Sequence, residues 1–327
     1  MSDTAAAPVP KIPALRGHRF GFLLNLTLLA LLVVMWILLS ISTDSFATLG
    51  NFTNLLRQDS LWSIMAIGQT FVIITAGIDL SVGAVVGLTS TTVALLLANN
   101  IPIVPAVLIT LVLGALLGAV NAFGIVNLRL PPFIMTLATM TALRGIGLLM
   151  TNGQTIGGLP LNFIMFSRHH TIGIPNLFFA VIVIAVPCYL LLHRSRWGRY
   201  LFAVGSNPEA ARLSGVKVNR TIYLAYMVSA TLAAVVGVLT ASRIGIGIAT
   251  TGQGWELQSV ASSVIGGASL FGAVGSVIGP LLGAMLLTTI NNGSNLLNVN
   301  PFWQGIITGL LIIVIVYFDQ LRRRKTR

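Results

Sequence analysis

Among the few residues able to carry charge-based chemistry, Asp79 has the most telling setting, in Gly77-Ile78-Asp79-Leu80-Ser81-Val82-Gly83 between two apolar runs. An ionisable group there is costly unless protein or a wet cavity surrounds it. Two readings stand: Asp79 caps the following helix as an N-terminal acceptor, or it takes part directly in the passage of a solute. Ser81 and the backbone around Gly77 and Gly83 offer it local hydrogen bonds. Arg144, inside another apolar run, either pairs with Asp79 or snorkels to an interface. Classical catalytic material is missing from the sequence. Cys188 is the one cysteine, and of the four histidines His169 and His170 are adjacent, which suits a solvated loop better than a metal site. The lysines are Lys11, Lys217 and Lys325, and no GxxxxGK[ST] stretch exists to hold ATP phosphates. Gly252-Gln253-Gly254 and Gly145-Ile146-Gly147 lack the third glycine of a dinucleotide loop. With no nucleophile–base pair in view, the chain reads as neither enzyme nor holder of a cofactor or metal, so any energy comes from a partner or a gradient.

Two further constellations have a physical logic of their own. Asn207-Pro208-Glu209-Ala210-Ala211-Arg212-Leu213-Ser214-Gly215 reads as an N-cap, a proline at the first helical position, an acid in the first turn, helix formers and a C-terminal glycine. The pattern predicts a short, self-contained helix, flanked by Trp197 and basic residues, on which a soluble partner can push; a surface turn that only reverses the chain is the plainer reading. Gly266 to Gly279, GGASLFGAVGSVIG, joins two short apolar runs much as Gly77–Gly83 does. Short, glycine-interrupted segments at membrane depth point to a transport path, because unwound backbone survives there only beside protein or water.

The elements that must position these residues are membrane helices. Of 327 residues, 55% are hydrophobic and 8% charged, with a mean hydropathy of +0.93, against about 25% charged in a soluble domain. A bilayer core takes about 20 apolar residues, and ten runs qualify: Phe22–Ile41, Leu61–Gly77, Val82–Ala98, Ile103–Val126, Phe133–Met150, Pro175–Leu192, Thr221–Ala241, Leu257–Leu270, Val274–Ile290 and Phe302–Phe318. The first is longer than the roughly 7–15 apolar residues of a signal peptide and no small-residue cleavage site follows it, so it reads as a retained anchor.

With both termini cytoplasmic, fifteen of the 19 Lys and Arg fall inside: Lys11, Arg16, Arg19, Arg129, six between Arg194 and Arg220, and five from Arg322 onward. Arg57, Arg168 and Arg243 fall outside, and Arg144 lies within a run. The net charge of +12 is thus a topology and lipid-surface signal rather than a nucleic-acid site. The division is a cytoplasmic tail 1–20, a membrane domain 21–320 with a cytoplasmic loop 194–220, and a basic tail 321–327. Outside loops Thr151–Ile174 and Arg243–Glu256 carry Trp255, an interfacial anchor or a sugar-stacking ring, and Asn291, Asn292, Asn295 and Asn298 are helix-end caps or a polar mouth.

GIDLSVG at Gly77–Gly83, GRYLFAVGSNPEAARLSGV at Gly198–Val216 and GGASLFGAVGSVIG at Gly266–Gly279 together resemble the membrane permeases of ribose-type ABC sugar importers, in order and spacing from about residue 20 to 320. The resemblance implies an all-α, polytopic permease of the type II-like importer fold, multi-pass in the bacterial inner membrane. It implies three partners: a second permease, usually a copy of itself; a cytoplasmic ABC ATPase with two nucleotide-binding modules, where ATP and Mg belong; and an extracytoplasmic sugar-binding protein. Asn207, Pro208, Glu209, Ala210, Ala211, Arg212 and Gly215 would form the helix that docks on the ATPase. Gly77, Asp79, Ser81, Gly83, Gly266, Gly267 and Ser269 would line or gate the path near the permease–permease contact. Ala273 departs from the pattern, since relatives often have another glycine there. The rival from another class is an ion-driven secondary transporter built on an Asp79–Arg144 pair.

Overall fold

In this computed structural model the chain is described over residues 14–300, with side chains from Leu23 on, and at scattered helical positions between Trp303 and Gln320. Of the predicted run 302–318 only scattered helical positions are described, Arg16 and Arg19 lie in α1 without described side chains, and Lys11 and the basic tail 321–327 lie outside the described residues. The order is α1 (Ala14–Ser42), α2 (Leu49–Ile74), α3 (Val82–Ala98), α4 (Ile103–Val126), α5 (Pro132–Thr151), α6 (Leu161–Arg168), a hairpin of β1 (His170–Thr171) and β2 (Ile174–Pro175), α7 (Asn176–Tyr189) running into a π-type turn over Leu190–Arg194, α8 (Arg196–Ser206), α9 (Pro208–Leu213), α10 (Val218–Ile244), α11 (Trp255–Ile265) and α12 (Ile278–Leu296). Five of these are long and apolar enough to cross a membrane.

α3 and α4 coincide with their predicted runs, and α5 and α10 extend them by a few residues. α2 starts at Leu49, well before the predicted Leu61, because the Thr48 hydroxyl caps it by accepting from Asn51 N at 3.2 Å. That extension draws Arg57 and Asp59 into the helix and buries Asp59. α11 ends five residues short of Leu270 and α12 starts four beyond Val274. Gly267, Gly272 and Ala273 between them hold left-handed φ of +91°, +86° and +62°, which no helix accommodates.

α10 is the hub, the most deeply buried of the five long helices and packed against α2, α3 and α4. Small residues let these backbones approach. Gly114 and Gly118 of α4, four apart and so on one face, abut Ala230, Ala234 and the Tyr226–Met227 backbone of α10. Gly68 of α2 lies over Ser229 and Leu232, where a Cβ would sit 3.2–3.3 Å from them, and Gly237 of α10 rests on Val86, Thr89 and Ser90 of α3. None of these positions is readable as an interface from one sequence.

α3 is about 26 Å long and α11 about 17 Å, both short of a hydrocarbon core of about 30 Å. Non-helical chain makes up the difference. Residues 75–81 turn inward between α2 and α3. Residues 245–254 leave α10, bridge to the hairpin-side loop through Ile156 and Gly247 (N···O 2.8 and 2.9 Å), and then descend beside α3. Gly247 abuts Ala94 and Ser90, Gly87 abuts Ala249 and Thr251, and Gly252 abuts Gly83.

Candidate functional site

The three motifs singled out in the sequence are linked in space through α8 and the end of α2. Asp79 is fully buried at the turn before α3. Its Oδ1 accepts from the Ser81 N–H at 3.0 Å and the Ser81 hydroxyl at 2.6 Å, and its Oδ2 accepts from the Ser229 hydroxyl of α10 at 3.1 Å. Asn121 of α4 donates to Ser81 Oγ at 2.8 Å. The Gln69 amide of α2 straddles the Asp79 peptide, donating to its carbonyl at 3.1 Å and accepting from its N–H at 3.2 Å. Thr136 of α5 donates to Ile78 O at 3.2 Å. The Asp79 carboxylate thus ties the α3 turn to α10, Ser81 adds α4 and the Asp79 peptide adds α2, with α5 fastened one residue away. Ser81, not Asp79, occupies the N-cap position, so the capping expectation is corrected in detail: the carboxylate closes an Asx turn on Ser81 and reaches across to α10. Gly77 and Gly83, both buried, lie at the two ends of this turn. At Gly77 a Cβ would come within 2.6 Å of the Tyr226 hydroxyl, which among the described residues has no hydrogen-bond partner.

The second motif is α9. Asn207 Oδ1 accepts from Glu209 N at 3.0 Å and Ala210 N at 3.1 Å, and Pro208 starts the helix. Glu209 and Arg212 lie 3.6 Å apart across the surface. Gly215 holds φ +82°, and Val216 N–H returns to Ala211 O at 3.0 Å, closing the C-terminal end. Ala211 is buried against Val204 and Val218, which seats the helix on α8 and α10. Everything else in it faces outward, and Leu213 is 90% exposed. An apolar side chain so bare at the tip of a capped helix went unnoticed in the sequence; the signal was the lone leucine next to the C-terminal turn.

The third motif adjoins both. Gly266 abuts Gly279 and Pro280 at the start of α12, Gly267 abuts Leu24 of α1, and Ser269 N–H donates to Val274 O at 3.1 Å. Ala273 N–H donates to Ile74 O at 2.9 Å, Gly272 abuts Ala76, and Gly205 at the end of α8 is wedged against Ile74, Ala273 and Gly272. α9 is therefore connected through α8 to the end of α2, five residues from Asp79.

Arg144 does not pair with Asp79. Its Nη2 donates to Glu256 Oε1 at 3.0 Å, joining α5 to α11, which removes the charge pair on which an ion-driven mechanism rested. The three basic residues left outside the topology pattern gather near the hairpin, where Arg57 Nη2 donates to Arg168 O at 3.0 Å and lies close enough to Arg243 to repel it. His170 Nε2 sits 3.3 Å from Arg57. Trp255 packs against Trp62 with ring centres 5.2 Å apart and planes tilted by 38°. Asn292 exchanges reciprocal bonds with Asn51 at 3.0 and 2.8 Å, tying α12 to α2 rather than capping an end.

Residues 51–316 match the family described as branched-chain amino acid transport system / permease component. Ribose import permease protein RbsC of Bacillus subtilis is 39% identical over 291 residues, covering 88% of this chain and 90% of its own. The D-allose transport system permease protein AlsC of Escherichia coli is 34% identical over 296 residues, covering 90% and 91%. The galactose/methyl galactoside import permease protein MglC of Haemophilus influenzae is 35% identical over 322 residues, covering 93% and 96%. No solved structure matches the chain.

Proposed function

Because the chain belongs to the family of ribose-type ABC import permeases, we propose that it forms the inner-membrane path for a monosaccharide or closely related polyol, driven by a separate ATPase. Its relatives are named for ribose, allose and galactose, and their likeness runs over nearly the whole chain, which favours a sugar over the branched-chain amino acids of the family description. The permease is a transport subunit and not itself an enzyme. ATP and Mg are held by a cytoplasmic partner with two nucleotide-binding modules, a binding protein delivers the sugar from outside, and a second permease, a copy of this one, completes the path.

α9 is the contact with the ATPase. What supports this most is the combination of complete capping with outward display: Asn207, Pro208, Glu209, Arg212 and Leu213 are exposed while Ala211 anchors the helix. Leu213 fits an apolar pocket, and Glu209 and Arg212 set register around it. With α9 and both termini on the cytoplasmic side, the hairpin face with Arg57, Arg168 and Arg243 meets the loaded binding protein. Gly77, Asp79, Ser81 and Gly83 form the fixed end of the moving parts, and Gly266, Gly267 and Ser269 the hinge against which α8 and α2 shift. A partner drives this transition only by binding its two states differently.

The test is uptake of radiolabelled D-ribose, D-allose and D-galactose into vesicles holding permease, ATPase and binding protein. Uptake that needs internal ATP and survives an uncoupler supports the reading. Uptake that collapses with the uncoupler at constant ATP overturns it.

A further inference from the structure

The descending segment 245–254 and α11 create a polar surface in a place where lipid is an unsuitable neighbour. Gly252 abuts Gly83, which lies about 22 Å down α3 from Ala98, so the chain turns into α11 well inside the hydrocarbon layer. Gly252 and Gly254 hold φ of +84° and +81° there, and Gln253 and Gly254 between them are exposed. Irregular backbone and a bare amide at this depth need water or protein beside them.

Alongside runs α5, which has the lowest mean hydropathy of the five long helices and is mostly uncovered. Its Gly147 meets Ala249 of the descending chain, and Arg144, one turn earlier in α5, reaches Glu256. The pair is unevenly exposed, with 32% of the Arg144 side chain and 10% of the Glu256 side chain open. Glu256 Oε2 is buried against Gly83, in the first turn of α3, and among the described residues has no hydrogen-bond partner. Glu256 is thus held from behind, next to backbone N–H groups that the α3 N-cap leaves without a side-chain partner. Arg144 keeps 32% of its side chain open and, through Glu256, lies against the stretch that carries the exposed Gln253 and the half-buried Trp255.

We propose that Arg144, Gln253 and Trp255 form the wall of the water-filled path that contacts the sugar at mid-membrane, with Glu256 as the residue that positions Arg144. The proposal rests on the sugar-permease reading above and adds to it the contact residues. The chemistry matches a polyhydroxylated ligand: a planar guanidinium with several donors and an amide with donor and acceptor take up hydroxyl groups, and an indole face takes up the C–H side of a pyranose or furanose ring. Pairing with Glu256 keeps Arg144 near charge balance when no sugar is present, which lowers its cost at this depth.

The test uses the reconstituted permease–ATPase–binding-protein complex with Cys188→Ser and either Gln253→Cys or, as a control on the exposed apolar face of α4, Leu116→Cys. A charged methanethiosulfonate reagent is expected to modify Gln253→Cys about tenfold faster than Leu116→Cys, because a thiol in hydrocarbon stays protonated and out of reach. Equal, slow modification of the two overturns the proposal and places Gln253 against lipid or a second copy of the chain. In the same complex, Arg144→Ala lowers the D-ribose moved per ATP hydrolysed about tenfold, the scale of lost hydrogen bonds to a charged group, and Glu256→Gln lowers it less. An unchanged ratio overturns the contact, since a structural defect would reduce uptake and hydrolysis together. Failure of the sugar reading looks different: the unsubstituted complex then moves none of the sugars, whatever the labelling of Gln253→Cys.

Discussion

Asp79 and Leu213 stand at opposite ends of the exposure range, 0% against 90%, and their surroundings differ in the same sense. Asp79 is held by groups from helices far apart in the chain, with Ser229 150 residues away and Asn121 bonded to Ser81 across 40. α9 is held almost wholly by itself, through Asn207, Pro208 and Gly215, with Ala211 as its anchor. A buried polar knot bonded to several helices fixes them relative to one another, whereas a capped helix on the surface can move as one piece. The wedge of Gly205 between Ile74 and Ala273 connects the two, so in the proposed coupling a push on α9 would arrive beside the knot.

Breaking the knot has the largest expected effect. Asp79→Ala leaves Ser229 and the turn at Ser81 without their acceptor in a water-free setting, which costs about 3 kcal/mol. Thermal unfolding of purified permease should show a midpoint lower by roughly 5 °C, with Asp79→Asn intermediate. A midpoint within a degree of the parent would show that the knot is not what holds α3 to α10. Next comes Gly118→Leu, which drives a side chain into the Tyr226–Met227 backbone and costs about 2 kcal/mol by overpacking. The same melting curve measures it, and Gly145→Leu, at a glycine with open space around it, is the matched control that should change little.

Surface changes at α9 should separate from these. Asn207→Ala removes two cap bonds and destabilises the helix locally by about 1 kcal/mol. Global melting should stay within about 1 °C, while sugar-stimulated ATP hydrolysis by the complex falls severalfold; equal losses in both would merge the two regions into one. The smallest effect is expected at Ala273, whose φ of +62° is strained for a residue with a Cβ. Ala273→Gly relieves that strain, less the entropy glycine brings to the unfolded chain, and should raise the melting midpoint by about 1 °C.

The same contrast explains what could be read from one sequence. α9 was legible residue by residue because capping is local chemistry, and α3 and α4 were legible because their apolar runs begin and end at turn residues such as Gly77–Gly83 and Asn99–Asn100. Asp79 could be flagged as costly, but its partners on α10, α4 and α2 could not be named, since nothing in GIDLSVG encodes Ser229 or Gln69. Arg144 was assigned to Asp79 or an interface because Glu256, 112 residues on, lay in a stretch read as an outside loop; only the descent of 245–254 beside α3 brings it to Arg144. Asp59 escapes a sequence reading because the apolar run begins only at Leu61. The helix in fact begins at Leu49, and Asp59 is buried in it with the Ser63 hydroxyl donating to its Oδ2 at 3.1 Å.

The central claim is that α9 carries coupling while the Asp79 knot carries architecture, and Leu213→Asp tests it most directly. The substitution puts a charge on the bare tip of α9 and touches no packing, so the melting midpoint should match the parent. In the reconstituted complex with loaded binding protein, the account predicts that sugar-stimulated ATP hydrolysis disappears. Stimulation equal to that of the unsubstituted complex would contradict it.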